Sequence, residues 1–361
     1  MKTLVYLING FDKGGAEVQV AKLANHFSDQ YRVHVVALIK PTENWLDLDL
    51  QRFSFHHLNM QRGRISLPDV FQLMLLLKRL QPDLIHSHLL HSNLLARLFK
   101  PIFRYRLINT SHNTVTGTGL LFKLFRWSRR IPDYSTHVSE VGLRLFQREG
   151  FYRPEDTVLY NGIEMDSACQ PKLASKTLRL GFLGKLREEK NIELLLDVFE
   201  QLSTSGADVE LLVAGDGEKR PVIEQWQATH HHGLKLTLLG LIHDIPAFFS
   251  GVDILLMTSR REGLPMALIE AGLNQTPVVA TNVGGIPEIV QQGVTGLLVN
   301  SEDANGFSQA LSDLIKCTEQ QRQSMGQAAR ALVTERFNFD NIALQWATLY
   351  TSNEERPGAA G

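Results

Sequence analysis

DILLMTSRREGLPMALIEAGLNQTPVVATNV, residues 253–283, opens with a short apolar run, breaks at a polar turn and ends in a second apolar run. Both runs are too short for ordinary helices and suit buried strands. Between them, Pro265 fits the first turn of a helix, where its missing N–H costs nothing. Strand, helix and strand in that order form the unit from which parallel sheets are built. The rhythm continues in both directions. TLVYLI, VHVVALI, DLIHSH, RLINTSH and YSTHVS read as strands in the first half, and LRLGFLG, VELLVAG, LKLTLLG and TGLLV join the two above in the second. Helical patterns separate most of them, as expected for parallel sheets covered on both faces.

With 361 residues the chain is too long for one ordinary core, so two α/β domains are expected. The polar, aperiodic EMDSACQPKLASKT places a linker at 164–177, between an N-terminal domain (1–163) and a C-terminal one (178–338). Residues 339–361 then supply a C-terminal helix that packs back on the first domain and a frayed tail, SNEERPGAAG. Hydrophobic residues make up 43%, a globular composition. No segment approaches the ~18–20 apolar residues of a membrane span. MKTLVYLINGFDKGG is too briefly apolar for a signal peptide and reads as a first strand. Cys169 and Cys317 stand far apart without neighbouring ligands, which fits a reducing cytoplasm better than a zinc or disulfide framework.

Net charge is −1 and names no partner. Local charge says more. Leu84 to Pro132 contains no Asp or Glu, yet Arg97, Lys100, Arg104, Arg106, Lys123, Arg126, Arg129 and Arg130 fall there among apolar residues. Such a pattern suits an anionic membrane surface or acceptor. Helices with solvated basic faces explain it equally well.

Open parallel sheets bind ligands beyond the carboxyl ends of their strands, so the turns there should carry the chemistry. Glu262 stands just ahead of the helix that Pro265 opens, and Glu270 one turn inside it. Amides at Met266, Ala267 and Leu268 suit phosphate oxygens, and a carboxylate at Glu270 suits a ribose diol. The two glutamates would thus bracket a nucleotide diphosphate. GKLREEK places Lys185, Arg187 and Lys190 beside another helix start, natural clamps for a diphosphate, or a plain mixed-charge turn. Gly10, Gly14 and Gly15 allow close backbone approach before a helix, and they also fit an ordinary turn. His112, followed by Asn113 and Thr114, ends a strand in a polar turn where it can orient a hydroxyl. VGGIPEIV puts Glu288 near the same edge.

SRREGLPMALIEAG followed by TPVVATNVGGIPEIVQQGVTGLLV resembles the Glu-x7-Glu signature and downstream strand of family 4 of the retaining glycosyltransferases, and the likeness runs from GGAE to the closing helices. The resemblance implies the GT-B architecture, two Rossmann-like domains facing across a cleft. It implies that Glu262 contacts the transferred sugar and, with His112, lies at the reaction centre, while Glu270 holds the ribose. Lys185 and Lys190 match the family's Gly-Arg-Leu-x-x-x-Lys phosphate clamp, with Lys185 replacing the usual arginine, so the bidentate fork is lost. Gly15, Met266 and Ala267 join the diphosphate site, and Gly14 and Asn113 the acceptor side. YNGIE (160–164) matches the interdomain Asn-Gly-Ile-Asp element, with Glu164 for aspartate. Family members transfer sugar from a UDP- or GDP-sugar with retained anomeric configuration and without a metal or other cofactor. Asp47-Leu48-Asp49 lacks the preceding apolar strand of a metal-binding turn. DLIHSHLLHSNLLARL resembles a subset that builds bacterial surface polysaccharides, lipopolysaccharide and capsule among them. The expected partners are therefore a growing, lipid-linked glycan acceptor and the inner leaflet of the membrane, with no nucleic acid. The residues are also compatible with a sugar-nucleotide epimerase of the same architecture, or with a nucleotide-sugar-binding module without catalysis.

Overall fold

The computed structural model describes residues 1–42, 46, 51–61, 65–165, 170–173, 175–204, 208–229 and 235–352. Asp47-Leu48-Asp49, Cys169, parts of the 164–177 segment and residues 353–361 lie outside them. Two fully parallel sheets organise the chain. The first contains β1 (Thr3–Ile8), β2 (Arg32–Ala37), β3 (Ser54–His57), β4 (Leu84–His88), β5 (Arg106–Ser111), β6 (Tyr134–His137) and β7 (Thr157–Val158), in the order β3-β2-β1-β4-β5-β6-β7. The helices between them are α1 (Gly15–Phe27), α2 (Leu67–Leu80), α3 (Leu90–Phe103), α4 (Leu120–Trp127) and α5 (Glu140–Arg148). Central strands are buried on both faces: Leu4, Tyr6 and Ile8 of β1 meet α1, while Val5 and Leu7 meet the side covered by α2 and α3. Such strands read as unbroken apolar runs because neither face meets water.

The second sheet contains β8 (Leu178–Leu183), β9 (Val209–Ala214), β10 (Lys235–Gly240), β11 (Ile254–Met257), β12 (Val278–Thr281) and β13 (Gly296–Val299), in the order β10-β9-β8-β11-β12-β13. Around it lie α6 (Ile192–Thr204), α7 (Arg220–Thr229), α8 (Ile245–Ser250), α9 (Met266–Leu273), α10 (Ile286–Ile289), α11 (Ala304–Lys316) and α12 (Glu319–Arg336). In each sheet the strand order reverses once, between β1 and β4 and between β8 and β11. Crevices at such reversals, beyond the carboxyl ends of the strands, are where open sheets hold ligands.

A last helix, α13 (Phe339–Thr351), leaves the second domain and joins the first. Phe339, Ile342, Trp346 and Tyr350 enter the core beside α1. Arg106 fastens the helix end, donating to the Leu349 carbonyl at 2.7 Å and to Ser352 Oγ at 2.8 Å. The chain thus crosses between domains twice, and the crossings bind each other: Ile163 N donates to Phe337 O at 2.8 Å and Phe339 N to Ile163 O at 3.0 Å. Glu164, the variant position of YNGIE, pairs with Lys22 of α1 at 3.5 Å.

The acid-free stretch divides between core and surface. Arg97 is buried, donating to Asn109 Oδ1 at 2.7 Å and to the Phe125 carbonyl at 2.7 Å, with its guanidinium 3.9 Å above the Phe125 ring. Burial pulls its pKa down to about 9. Lys100 pairs with Asp133, and Arg106 holds α13. These three do not contribute to a basic face; Arg104, Lys123, Arg126 and Arg130 remain exposed.

Candidate active site

Lys190 and Glu262 come from the two strands that flank the second reversal. Lys190 follows β8 at the end of a short 3-10 turn, Glu188–Lys190, and Glu262 lies in the turn after β11. Lys190 Nζ donates to Glu262 Oε1 at 2.6 Å, and Ser259 Oγ donates to the same oxygen at 2.7 Å. Both charged side chains are largely withdrawn from solvent, 16% and 12% exposed, so each is held in one geometry by the other. Thr258 Oγ1 donates to the Lys190 carbonyl at 2.9 Å and so ties the two turns together.

Helix α9 begins directly behind Glu262. Pro265 is its N-cap and offers no side-chain cap, so the first-turn amides of Met266 and Ala267 keep their capacity to bind an anion. The Leu268 amide, counted above with these two, is taken by the Pro265 carbonyl at 3.1 Å. Glu270 sits in the second turn. Burial pushes its pKa up, and Lys22 and Lys13 of the first domain oppose that rise across the cleft.

The first domain closes on this edge. Gly14 is the N-cap of α1, likewise without a side-chain cap. A Cβ on Gly15 would lie 3.3 Å from Met266 Cγ, so the starts of α1 and α9 face one another. Burial raises the pKa of Glu17, one turn into α1, and Lys185 and Arg187 pull it back. Lys13 Nζ donates to the Ile242 carbonyl at 2.8 Å, a further link between domains. At the end of β5, Thr114 Oγ1 donates to the Glu262 carbonyl at 3.2 Å, and the His112 carbonyl lies where a Cβ on Gly263 would fall.

His112 belongs to a group of histidines on adjacent strands. Its Nε2 shares a hydrogen bond with His88 Nδ1 at 2.9 Å, while its Nδ1 is buried without a partner among the described residues. Burial and the neighbouring His137 push its pKa down to about 3, so the ring is neutral at physiological pH. A neutral imidazole can donate or accept a hydrogen bond to a hydroxyl without carrying charge. His137 Nε2 bonds the Asn113 carbonyl at 3.0 Å, which fixes the turn carrying His112, and Asn113 itself is exposed.

Glu262, Lys190, Met266, Ala267, Gly14, Gly15, Asn113 and His112 therefore line one edge, with Glu270 behind it and Lys185 opposite Glu17. Arg260 and Glu288 face elsewhere. Arg260 bonds Glu188 at 2.7 Å and Glu302 at 3.0 Å. Glu288 accepts from the amides of Glu140 and Val141 at 2.9 and 3.0 Å, capping α5 across the domain boundary. Residues given no role from sequence are Lys13, Glu17, Lys22, His88 and Ser259. Lys13 and Glu17 flank the Gly-Gly turn, a signal available in the sequence; His88 and Lys22 carry none. Among the described residues no group of three or more His, Cys, Asp or Glu is placed to hold a metal ion, and no helix is long and apolar enough to cross a membrane.

Two family descriptions fit consecutive parts of the chain. That of Glycosyltransferase Family 4 matches residues 13–167 and that of Glycosyl transferases group 1 matches residues 168–332. N-acetyl-alpha-D-glucosaminyl L-malate synthase of Bacillus anthracis is 30% identical over 46% of this chain and 44% of its own length. The capsular polysaccharide biosynthesis glycosyltransferase CapM of Staphylococcus aureus is 26% identical over 50% of this chain and 48% of its own. The chain thus spans about half the length of these curated relatives. Anabaena Alr3699/HepE, solved in complex with UDP and glucose, superposes with a TM-score of 0.83 over 98% of this chain and all of its own, at 21% identity, which establishes the shared GT-B fold.

Proposed function

The chain belongs to the family 4, group 1 glycosyltransferases of GT-B fold, and from that premise we propose that it transfers a sugar from a UDP- or GDP-sugar to a growing, lipid-linked glycan of the bacterial cell surface, lipopolysaccharide or capsule, at the cytoplasmic face of the inner membrane. The observation that carries this reading is the Lys190–Glu262–Ser259 cluster at the mouth of α9, with Glu270 behind it and His112 across the cleft. Lys190, Lys185 and the first amides of α9 would take the diphosphate's charge as it leaves, which is the function a metal serves elsewhere. That is why transfer is expected to need no metal or other cofactor. Glu262 would receive hydroxyls of the sugar and Glu270 those of the ribose. The groups opposite the donor site are neutral His112 and the partly buried Glu17. Retention, which the family resemblance implies, would have the acceptor oxygen attack the face that the phosphate leaves, with the departing phosphate taking the acceptor's proton. The UDP seen with the Anabaena protein makes a uridine nucleotide the first to try.

A calorimetric and thermal-shift comparison of UDP, GDP and their sugar conjugates, with and without magnesium, tests the donor half. Selective, metal-independent stabilisation by one diphosphate is the expected result, and no response to any of them refutes it. NMR of the product linkage then decides retention against inversion.

A further inference from the structure

Eight of the fifteen large apolar side chains that stand exposed among the described residues lie on three helices, α2, α3 and α4. These are neighbours: α3 packs against α2 on one side and α4 on the other. Each already buries one apolar face, through Leu73 and Leu77 of α2, Leu95 and Phe99 of α3, and Phe125 of α4. The exposed residues form a second stripe on the outside. On α4 it is Leu120, Leu124 and Trp127, at a spacing of one helical turn, with Trp127 82% exposed. On α2 it is Leu67, Phe71 and Leu75, and on α3 Leu98 and Ile102. Outward apolar stripes on three adjacent surface helices mark an interaction face, since single exposed leucines scatter whereas these align.

Charge identifies the occupant. Lys123, Arg126 and Arg130 interleave with the stripe of α4, Arg104 ends α3, and Lys78 and Arg79 end α2. Between Leu84 and Pro132 there is no carboxylate to oppose them. Asp69 of α2 is engaged in a capping box with Ser66, and Glu149 lies 3.9 Å from Arg126. Aromatic and aliphatic tips mixed with cations are what the headgroup layer of an anionic bilayer accepts, the tips entering the acyl boundary and the cations meeting phosphate. We propose that the outer face of α2, α3 and α4 docks on a bilayer surface containing anionic phospholipid, with Leu124 and Trp127 inserted. Each of these helices follows the carboxyl end of a strand, so their first turns lie on the cleft side of the sheet. Docking would hold the cleft mouth beside the bilayer. Only that consequence for acceptor delivery rests on the function proposed above; the docking itself does not.

The test is co-sedimentation of the full chain with vesicles of phosphatidylcholine alone and of phosphatidylcholine mixed with phosphatidylglycerol. Partition is expected to be at least ~10-fold stronger into the anionic vesicles and to weaken with salt, given several basic side chains at the surface. Tryptophan emission should shift blue on binding, and Trp127→Phe should remove most of the shift, because Trp127 is on the proposed face and 82% exposed whereas Trp346 is buried and Trp226 packs on the second-domain core. Leu124→Glu with Trp127→Glu, and separately Phe71→Glu with Leu75→Glu, should each cut partition about tenfold or more. All are surface positions, so melting temperature and nucleotide affinity should stay at wild-type values. No partition of the wild type into anionic vesicles, or partition untouched by both double variants, overturns the proposal. So does a concentration-dependent dimer broken by the same substitutions without vesicle binding, which would assign the face to a second copy. Intact vesicle binding without any sugar transfer would overturn the proposed function alone.

Discussion

Replacing Gly263 by alanine should separate transfer from donor binding. A Cβ at this position would stand 1.9 Å from the His112 carbonyl oxygen and 3.3 Å from Asn113 Cα, both in the other domain. Real Cβ atoms essentially never approach within 3.0 Å, so the two turns must part by about 1.1 Å. Neither side yields easily: Gly285 N donates to the Gly263 carbonyl at 2.9 Å, and His137 holds Asn113. A misplacement of about 1 Å between reacting groups costs on the order of 100-fold in rate, or ~2.7 kcal/mol of barrier. Lys190, Glu270 and the α9 amides all stand in the second domain and move together. Turnover of Gly263→Ala on donor and acceptor should therefore fall about 100-fold, while calorimetric affinity for the nucleoside diphosphate changes less than about threefold. Gly284→Ala provides the contrast. There φ is +55° and the added Cβ falls 1.9 Å from the Glu262 carbonyl within the same domain. That substitution should damage donor binding and turnover alike. If Gly263→Ala keeps full turnover, or loses affinity as much as rate, the two domains do not meet here in the reacting complex.

Lys190→Met should weaken donor affinity about 100-fold and lower the melting temperature, because it strands the nearly buried Glu262 carboxylate; Lys190→Met with Glu262→Gln should recover stability without recovering affinity, and recovery of both would make the pair structural only. Glu270→Gln should weaken nucleotide binding about 10- to 100-fold, the scale of charged hydrogen bonds, yet leave the ligand-free protein at least as stable. The sign follows from burial raising the pKa of Glu270: the folded state disfavours its charged form, so removing that charge at neutral pH stabilises. Unchanged affinity in Glu270→Gln would refute its ribose role. Acid should destabilise the first domain through its buried histidines. His137 is held neutral with a pKa pushed down to about 4, so the unfolded chain binds its proton first as pH falls below 6.5. Its contribution is fully present above pH 6.5, and about 2 kcal/mol of it is lost by pH 5. His86 and His88, also pushed down by burial, add in the same direction. Urea midpoints at pH 8 and pH 5 that coincide would contradict this.

What the sequence disclosed, it disclosed through burial. VELLVA and DILLM are legible because buried parallel strands are apolar on both faces, whereas β3, Ser-Phe-His-His at a sheet edge, and the two-residue β7 carry no such mark. Arg97 reads as the basic side of an amphipathic helix. Its acceptors are Asn109 of β5, the Phe125 carbonyl of α4 and Ser128 at the end of that helix, so only the packed structure shows it in the core. Glu288 reads as a site residue because it follows two glycines in a strand-end turn. In space that turn faces α5, and its carboxylate caps a helix. The positions of Glu262 and Glu270, one just ahead of α9 and one in its second turn, are legible by spacing alone, since a helix start fixes where both must stand.

The cleft pairs its own charges in a way that bears on donor entry. Carboxylates on one side face cations on the other: Glu17 against Lys185 and Arg187, and Glu270 against Lys13 and Lys22. Within the second domain Lys190 is committed to Glu262. On the proposed function, a diphosphate arriving here would exchange one anionic partner of Lys190 for a stronger one, and the ammonium is already withdrawn from water and aimed. The desolvation and ordering that would otherwise oppose binding are met by the fold itself. Released from full pairing with Lys190, Glu262 keeps Ser259 and gains free acceptor capacity at the point where sugar hydroxyls would arrive. On the proposed function, the phosphate clamp and the sugar contact would be two states of one pair. This is why removing Lys190 should disturb the recognition of sugar as well as of phosphate, and why UDP alone and a UDP-sugar should lose affinity by different factors in Lys190→Met.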